Sequence, residues 1–219
     1  MHSQQEAKTG NIMTSLVLVF AKTPTLGSVK TRLAKTVGDE KALWVYLQLL
    51  KKTDAILQSI GVKVIVFYDG LDRSAFGSIF QSFKKFPQEG ATLGERMHNA
   101  FQWGFSKGYD HIVIIGTDLW SLDQNLIEQA FTVLKKSEIV IGPAKDGGYY
   151  LLGKKQLIPT VFKNKNWSSS TVLKETVKDL KGYKVGFLEE KMDIDQYEDI
   201  LLFEDLMMLM RQHFDERKN

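Results

Sequence analysis

The 219-residue chain predicts one α/β domain whose sheet is mainly parallel at its start. Three observations carry that expectation. Strand-like apolar runs alternate with helix-like segments, which is the order that builds parallel sheets. The run HIVII at 111–115 has the composition of a strand buried on both faces. No Pro-, Gly- or Ser-rich linker divides residues 15–219, and the length suits a single domain.

The elements follow in order. Residues 16–21 read as the first strand. Residues 39–60 carry Leu43, Tyr46, Leu47, Leu50, Ile56 and Leu57 at helical spacing, and Gly61 stands where a helix C-terminal glycine belongs. Residues 62–68 form a second strand, closed by the turn pair Asp69–Gly70. Residues 72–86 read as a short helix. Residues 93–106 read as a helix with Met97, Ala100, Phe101 and Phe105 on one side. The strand at 111–115 precedes a helix at 123–136, capped by Asp123. Strands are expected at 138–141, 149–152 and 183–188. A helix is expected at 168–181, capped by the serines that follow Trp167. The last helix, 197–213, is rich in Leu and Met; it reads as core, with a homodimer contact as the alternative.

Residues 1–14 are polar and lack the apolar stretch of a secretory signal, so they read as a disordered extension, with Met13 an alternative start. The chain has no cysteine, which removes disulfides, thiolate metal sites and cysteine nucleophiles; a cytoplasmic location is expected. No apolar run reaches the ~18 residues of a membrane span. The net charge of +3 is too mild to argue for nucleic acid. The lysine pairs at 51–52, 84–85, 135–136 and 154–155 read as solvated faces.

Chemistry concentrates in five places. FAKTPTLGSVKTRL at 20–33 sets Lys22, Lys30 and Arg32 around Gly27 after a buried strand. Backbone N–H groups and cationic heads in such a loop can meet several phosphate oxygens at once. Gly116–Thr117–Asp118 follows the apolar third strand, where an open α/β sheet places its ligand crevice. Asp118 there suits a divalent cation carrying phosphate, or else caps the next turn. Asp193–Ile194–Asp195 lies at a strand end. Alternation would turn both carboxylates to one face as further metal ligands, and capping of the last helix is the other reading. PAKDGGYY at 143–150 reads equally as a plain hairpin turn and as a flexible wall in which Asp146 accepts a proton or holds a hydroxyl. Arg96, in LGERM at 93–97, sits against the helix dipole and calls for a phosphate or an acidic partner. The histidines show no metal-ligand spacing. The chain lacks G-x-S-x-G, G-x-x-x-x-G-K-[ST] and G-x-G-x-x-G, which argues against a serine hydrolase, a P-loop kinase and a dinucleotide fold.

The ordered set FAKTPTLGSVKTRL, LGERM, GTD, GPAKDGGYYLLG and DIDQYEDI resembles the bacterial DUF2064 family of glycosyltransferase-A-like proteins. Some of its members are described as arsenosugar-biosynthesis glycosyltransferases, and the family is related to the 2-phospholactate guanylyltransferases. The resemblance covers residues 15–205. It implies a Rossmann-like nucleotide-diphospho-sugar transferase fold with a mixed, mainly parallel sheet. It further implies that Ala21, Lys22, Gly27, Lys30, Arg32, Arg96, Gly116 and Thr117 meet the nucleotide, and that Asp118 with Asp195, or less so Asp193, holds Mg2+ or Mn2+. Asp146, Gly147, Gly148 and Tyr149 would face the acceptor or sugar, with Asp146 and Lys30 as the catalytic pair. Where the family reads GTD-x-P, this chain has Leu119–Trp120, so Trp120 is expected on the acceptor side, either covering a different acceptor or filling the pocket.

The leading expectation is therefore a metal-dependent glycosyltransferase acting on a small molecule. The alternatives are a nucleotidyltransferase that joins an NTP to a phosphorylated acid, and a non-catalytic nucleotide-binding protein.

Overall fold

The computed structural model describes residues 14–70, 72–167 and 169–215. Seven strands form one sheet in the order β3-β2-β1-β4-β6-β5-β7. They are β1 (Ser15–Lys22), β2 (Lys63–Asp69), β3 (Lys84–Pro87), β4 (His111–Ile115), β5 (Ile139–Pro143), β6 (Tyr149–Lys154) and β7 (Val185–Phe187). Only β6 runs antiparallel to its neighbours. Its reversal has a local cause. Five residues, 144–148, join β5 to β6, too few for the crossover that a parallel partner needs. The expected mixed, mainly parallel sheet is thus present.

Helices cover both faces: α1 (Thr31–Val37), α2 (Asp39–Ser59), α3 (Leu93–Ser106), α4 (Gln124–Lys136), α5 (Val172–Asp179), α6 (Tyr197–Ile200) and α7 (Glu204–Asp215). Strand alternation divides the core in two. Val17, Val19, Val113 and Ile115 pack toward α2, α4 and α7, while Leu16, Leu18, Ile112 and Ile114 pack toward α3. Burying each such side chain is worth roughly 1.5–3 kcal/mol. The central strands β1 and β4 therefore form a rigid base for whatever lies at their ends.

Several expectations shift. Residues 1–13 of the expected extension lie outside the described residues, but Thr14 is tied down, accepting from the Asp110 N–H at 2.9 Å. Residues 72–86 yield a single 3-10 turn, Arg73–Phe76, and then β3. KKFP reads poorly as a strand, yet an edge strand takes Lys and Pro readily. The phosphate-type loop contains a short helix, α1. The helix expected at 168–181 is confined to α5, and the strand at 183–188 to β7. The last helix breaks into α6 and α7, with Phe203 N–H bonding to Ile200 O at 3.0 Å in the corner. That corner lets Leu206, Met207 and Met210 reach the core, while Met208 and Leu209 stay exposed. Lys154, expected on a solvated face, is 0% exposed. No described helix is long and apolar enough to cross a membrane.

Candidate active site

The C-terminal ends of β1 and β4 and the start of β6 open into a cleft of about 640 Å3. Ligands bind at this edge in open α/β sheets because the chain leaves the sheet there and frees backbone groups.

One wall is the segment between β1 and α2. Lys22, Lys30 and Arg32 all line the cleft. Lys30 holds a left-handed backbone conformation (φ 49°, ψ 42°) as the residue preceding α1. A non-glycine residue there is strained by about 1–2 kcal/mol. Its side chain is only 5% exposed and reaches across the cleft. The Lys30 ammonium lies 2.6 Å from Asp118 Oδ1 and donates to the Ile194 carbonyl at 2.6 Å. Arg32, 59% exposed, pairs with Asp195 Oδ2 at 2.6 Å. Gly27 makes the turn before α1 at φ 73° and lies outside the cleft lining.

The floor is Gly116–Thr117–Asp118. Tyr46 of α2 locks it to β1. The Tyr46 hydroxyl accepts from Lys22 N–H at 2.8 Å, donates to Lys22 O at 3.0 Å, and lies 3.4 Å from Thr117 Oγ1. Burial, reinforced by the nearby Asp118 charge, pushes the Tyr46 hydroxyl well above its ordinary range, so it stays a neutral donor. Tyr46 reads as an ordinary core position in the sequence; only the fold turns its hydroxyl to the two strand ends.

The opposite wall carries Asp193 and Asp195. They lie outside any strand; both carboxylates line the cleft, but their surroundings differ. The backbone N–H of Asp195 is bound by Asp199 at 2.8 Å, and its carboxylate is taken by Arg32. Asp193 instead buries Oδ1 without a hydrogen-bond partner among the described residues. Its carboxyl is pushed up to about 7, first by burial, then by Asp118, against the opposing Lys30 ammonium; Asp146 and Asp195 add to the rise. The described residues contain no preformed group of three His, Asp or Glu side chains placed to hold a metal.

Asp146, Gly148 and Tyr149 line the cleft, but the turn that carries them is built for other reasons too. Asp146 Oδ1 accepts from Gly148 N–H at 2.8 Å, the bond of a plain Asp turn. Gly147 sits at φ 89°, and a Cβ there would come 2.1 Å from the Ser170 carbonyl oxygen. Gly147 therefore docks the turn onto the segment before α5 and does not face the cleft. Arg96 finds its expected acidic partner, Asp69 Oδ2 at 2.8 Å, and also donates to Gly90 O at 3.0 Å.

Trp120 is a correction. It is buried in the core beneath the floor and lines no part of the cleft. Its indole N–H donates to both oxygens of Asp205 on α7, at 3.0 Å each, and the Lys52 ammonium lies 4.3 Å from its ring centre. The residue after Leu119 fills space toward α7, which the local sequence does not reveal. The cleft contains further residues that sequence reasoning missed. Asp69 ends β2 as Asp118 follows β4, so the same strand-end signal was present but was spent on a turn. Trp167 had no signal. It stands over Gly94, where a Cβ would approach its ring to 2.6 Å, which explains the glycine in LGERM.

Known proteins bear out the fold and the class. A 2-phospho-L-lactate guanylyltransferase from Methanocaldococcus vulcanius is 25% identical over 190 residues, 84% of this chain and 82% of that protein. A protein from Desulfovibrio desulfuricans G20, described as a candidate nucleotide-diphospho-sugar transferase, has TM-score 0.82 at 29% identity, over 92% of this chain and 98% of that one. Rv0371c from Mycobacterium tuberculosis H37Rv, in complex with manganese, shares the fold at TM-score 0.56 and 15% identity, over 88% of this chain and 100% of that one. The expected enzyme class, a transferase, is that of the first two relatives. Residues 52–169, more than half of the chain, match the family model described as "Uncharacterized protein conserved in bacteria (DUF2064)", and the chain belongs to that family.

Proposed function

We propose that this chain is a nucleotidyltransferase that joins an NTP to a small, already ionised acceptor and releases pyrophosphate. The observation that carries the reading is the set of three cations, Lys22, Lys30 and Arg32, on one wall of the cleft, facing Asp118 and Asp193. In nucleotidyl transfer an acceptor oxygen attacks the α-phosphorus, the bond to the bridging oxygen breaks, and negative charge gathers on the departing pyrophosphate. Cations fixed beside that leaving group stabilise the transition state more than the ground state.

The carboxylates fit a divalent cation. Asp193 carries a buried, unpartnered oxygen and a pKa raised by burial and like charge, and a nearby cation would relieve both. Asp118 and Asp193 would hold Mg2+ or Mn2+, with phosphate and water completing the hard-oxygen set. Asp195, occupied by Arg32, is the weaker choice. When bound, the ion would neutralise charge developing on the transferred and leaving phosphates. Lys22 and Arg32 would bind and orient the β- and γ-phosphates, and Tyr46 would keep the Thr117 floor in register with Lys22.

The turn bond that engages one Asp146 oxygen weakens the base expected for glycosyl transfer to a hydroxyl and so favours nucleotidyl transfer. A hydroxyl acceptor needs a base; a phosphate or carboxylate acceptor arrives deprotonated. Glycosyl transfer stands as the second reading because of the likeness to the Desulfovibrio protein at 29% identity. The two separate in one assay with Mn2+: the four NTPs and a panel of nucleotide sugars, each with phosphorylated hydroxy acids. Pyrophosphate release from an NTP supports the proposal. Nucleoside diphosphate release from a sugar donor, without pyrophosphate, replaces it with glycosyl transfer. Nucleotide binding without turnover of any donor leaves the non-catalytic nucleotide-binding class.

A further inference from the structure

We infer that Lys30 is a resident counter-cation that keeps a divalent metal off Asp118 until phosphate draws the lysine away, so that nucleotide binds before metal. The inference rests on the proposed metal-dependent nucleotide chemistry and adds an order and a cause to it.

The Lys30 head lies in an oxygen nest. Its two contacts, Asp118 Oδ1 and the Ile194 carbonyl, are each 2.6 Å away. Both are hard oxygens of the kind that bind Mg2+ or Mn2+. They also belong to one rigid unit, because Ile194 N–H donates to Asp118 O at 2.9 Å. Asp193, next along the chain from Ile194, buries its unpartnered oxygen and feels the Asp118 and Lys30 charges. The Asp118 oxygen that a metal would take is therefore already occupied by an ammonium.

The backbone supports the same view. Lys30 sits at φ 49° and ψ 42°. A strained residue of this kind persists only where its contacts hold it. The ammonium contacts and the first turn of α1, where Ala34 N–H bonds to Lys30 O at 2.8 Å, do so here. Polyphosphate in the cleft offers the ammonium new anionic partners. Once it turns to them, Asp118 is free for the metal. Linkage makes the effect reciprocal, so metal in turn tightens nucleotide binding.

The test titrates Mn2+ alone, read by electron paramagnetic resonance, into the wild-type chain, Lys30→Met and Arg32→Gln, with circular dichroism checking the fold. Arg32→Gln removes the same charge from the same wall but leaves Lys30 in place. Lys30→Met is expected to bind Mn2+ about tenfold or more tightly than wild type, a usual size for coupling between sites. Arg32→Gln should gain no more than about threefold, as for an exposed ion pair. If Lys30→Met does not fold, Lys30→Gln carries the same expectation. No gain on removing Lys30, or an equal gain in Arg32→Gln, overturns the gate. A gain in Lys30→Met beside a failed pyrophosphate assay keeps the gate and rejects nucleotidyl transfer. If neither wild type nor any variant binds Mn2+, the gate and the metal assignment both fall.

Discussion

Lys30 at the cleft wall and Lys154 at the end of β6 both carry an ammonium out of water, with opposite outcomes. Lys30 has a carboxylate and a carbonyl at 2.6 Å each. Lys154 has no hydrogen-bond partner among the described residues; its ammonium lies 4.1 Å and 4.4 Å from the ring centres of Phe101 and Phe162. Burial pushes the Lys154 ammonium down to about 7. Ring faces return about 2 kcal/mol to a desolvated cation, less than a buried charge costs. Nearby His98 is also pushed down, first by burial and then by Lys154 and Lys163. The comparison teaches that burial alone does not mark a functional lysine. Lys30 is set against oxygens that a ligand can compete for, in an open cleft; Lys154 is sealed among rings.

Breaking the cleft side should have the largest effect. Asp118→Asn should lower pyrophosphate release by about 10^3-fold, the scale for losing a metal ligand or a principal electrostatic contact. Retention of more than a tenth of the wild-type rate would remove Asp118 from the mechanism.

Lys154→Met tests the sealed side. It should raise stability by about 2–3 kcal/mol at pH 7, because an unpaired buried charge is replaced by an apolar chain of similar volume. The pH dependence has a definite sign. The folded pKa, about 7, lies below the ordinary 10.5. The unfolded chain therefore binds more protons between those values, and this residue makes wild-type stability rise with pH across that window. Denaturant melts of both proteins at pH 7 and pH 10 should show the gap narrowing at the higher pH. A constant gap would mean that Lys154 is not titrating.

Asp193→Asn sharpens the contrast within the cleft. The carboxyl has a folded pKa of about 7 against an ordinary 3.8. Its contribution to stability is full below about pH 4 and is lost as pH rises through 7. The variant should gain about 1–3 kcal/mol at pH 8 while binding Mn2+ more weakly, a trade of function against stability. Unchanged Mn2+ affinity would return the second ligand role to Asp195. The smallest effect belongs to Trp120→Phe, which loses the bond to Asp205. About 1 kcal/mol of stability should go, with kcat/KM staying within about twofold. A larger kinetic effect would return Trp120 to the acceptor side.

Much of the frame is legible from local signals. α3 occupies residues 93–106 as its pattern predicts. Thr92 caps it by accepting from Glu95 N–H at 3.2 Å, and Glu95 reaches back to Ala91 N–H at 2.8 Å. Asp123 caps α4 by accepting from Leu126 N–H at 2.7 Å. Such contacts lie within four residues, so the sequence displays both partners. β3 and the corner between α6 and α7 do not show in this way. Lys84–Lys85 looks like a solvated pair until β2 supplies a strand edge, and the last helix looks continuous until the core requires Leu206 and Met210. The site divides on the same line. Strand-end position exposed Asp118, and cation spacing exposed Lys30 and Arg32. Tyr46 and Trp167 enter the cleft only through elements remote in the chain.

By itself the sequence determined the alternation of strands and helices, the acidic strand end at Asp118 and the cationic segment after β1, because periodicity, capping and turn chemistry act over a few residues. Tertiary structure alone decided that Lys30 would meet Asp118, that Arg32 would take Asp195 and leave Asp193 unpaired, and that Trp120 would turn to the core. The physical reason is range. A charge at position 30 acquires its partner, and its energy, from residues 88 and more than 160 positions away, and that pairing exists only once the sheet has set the distance.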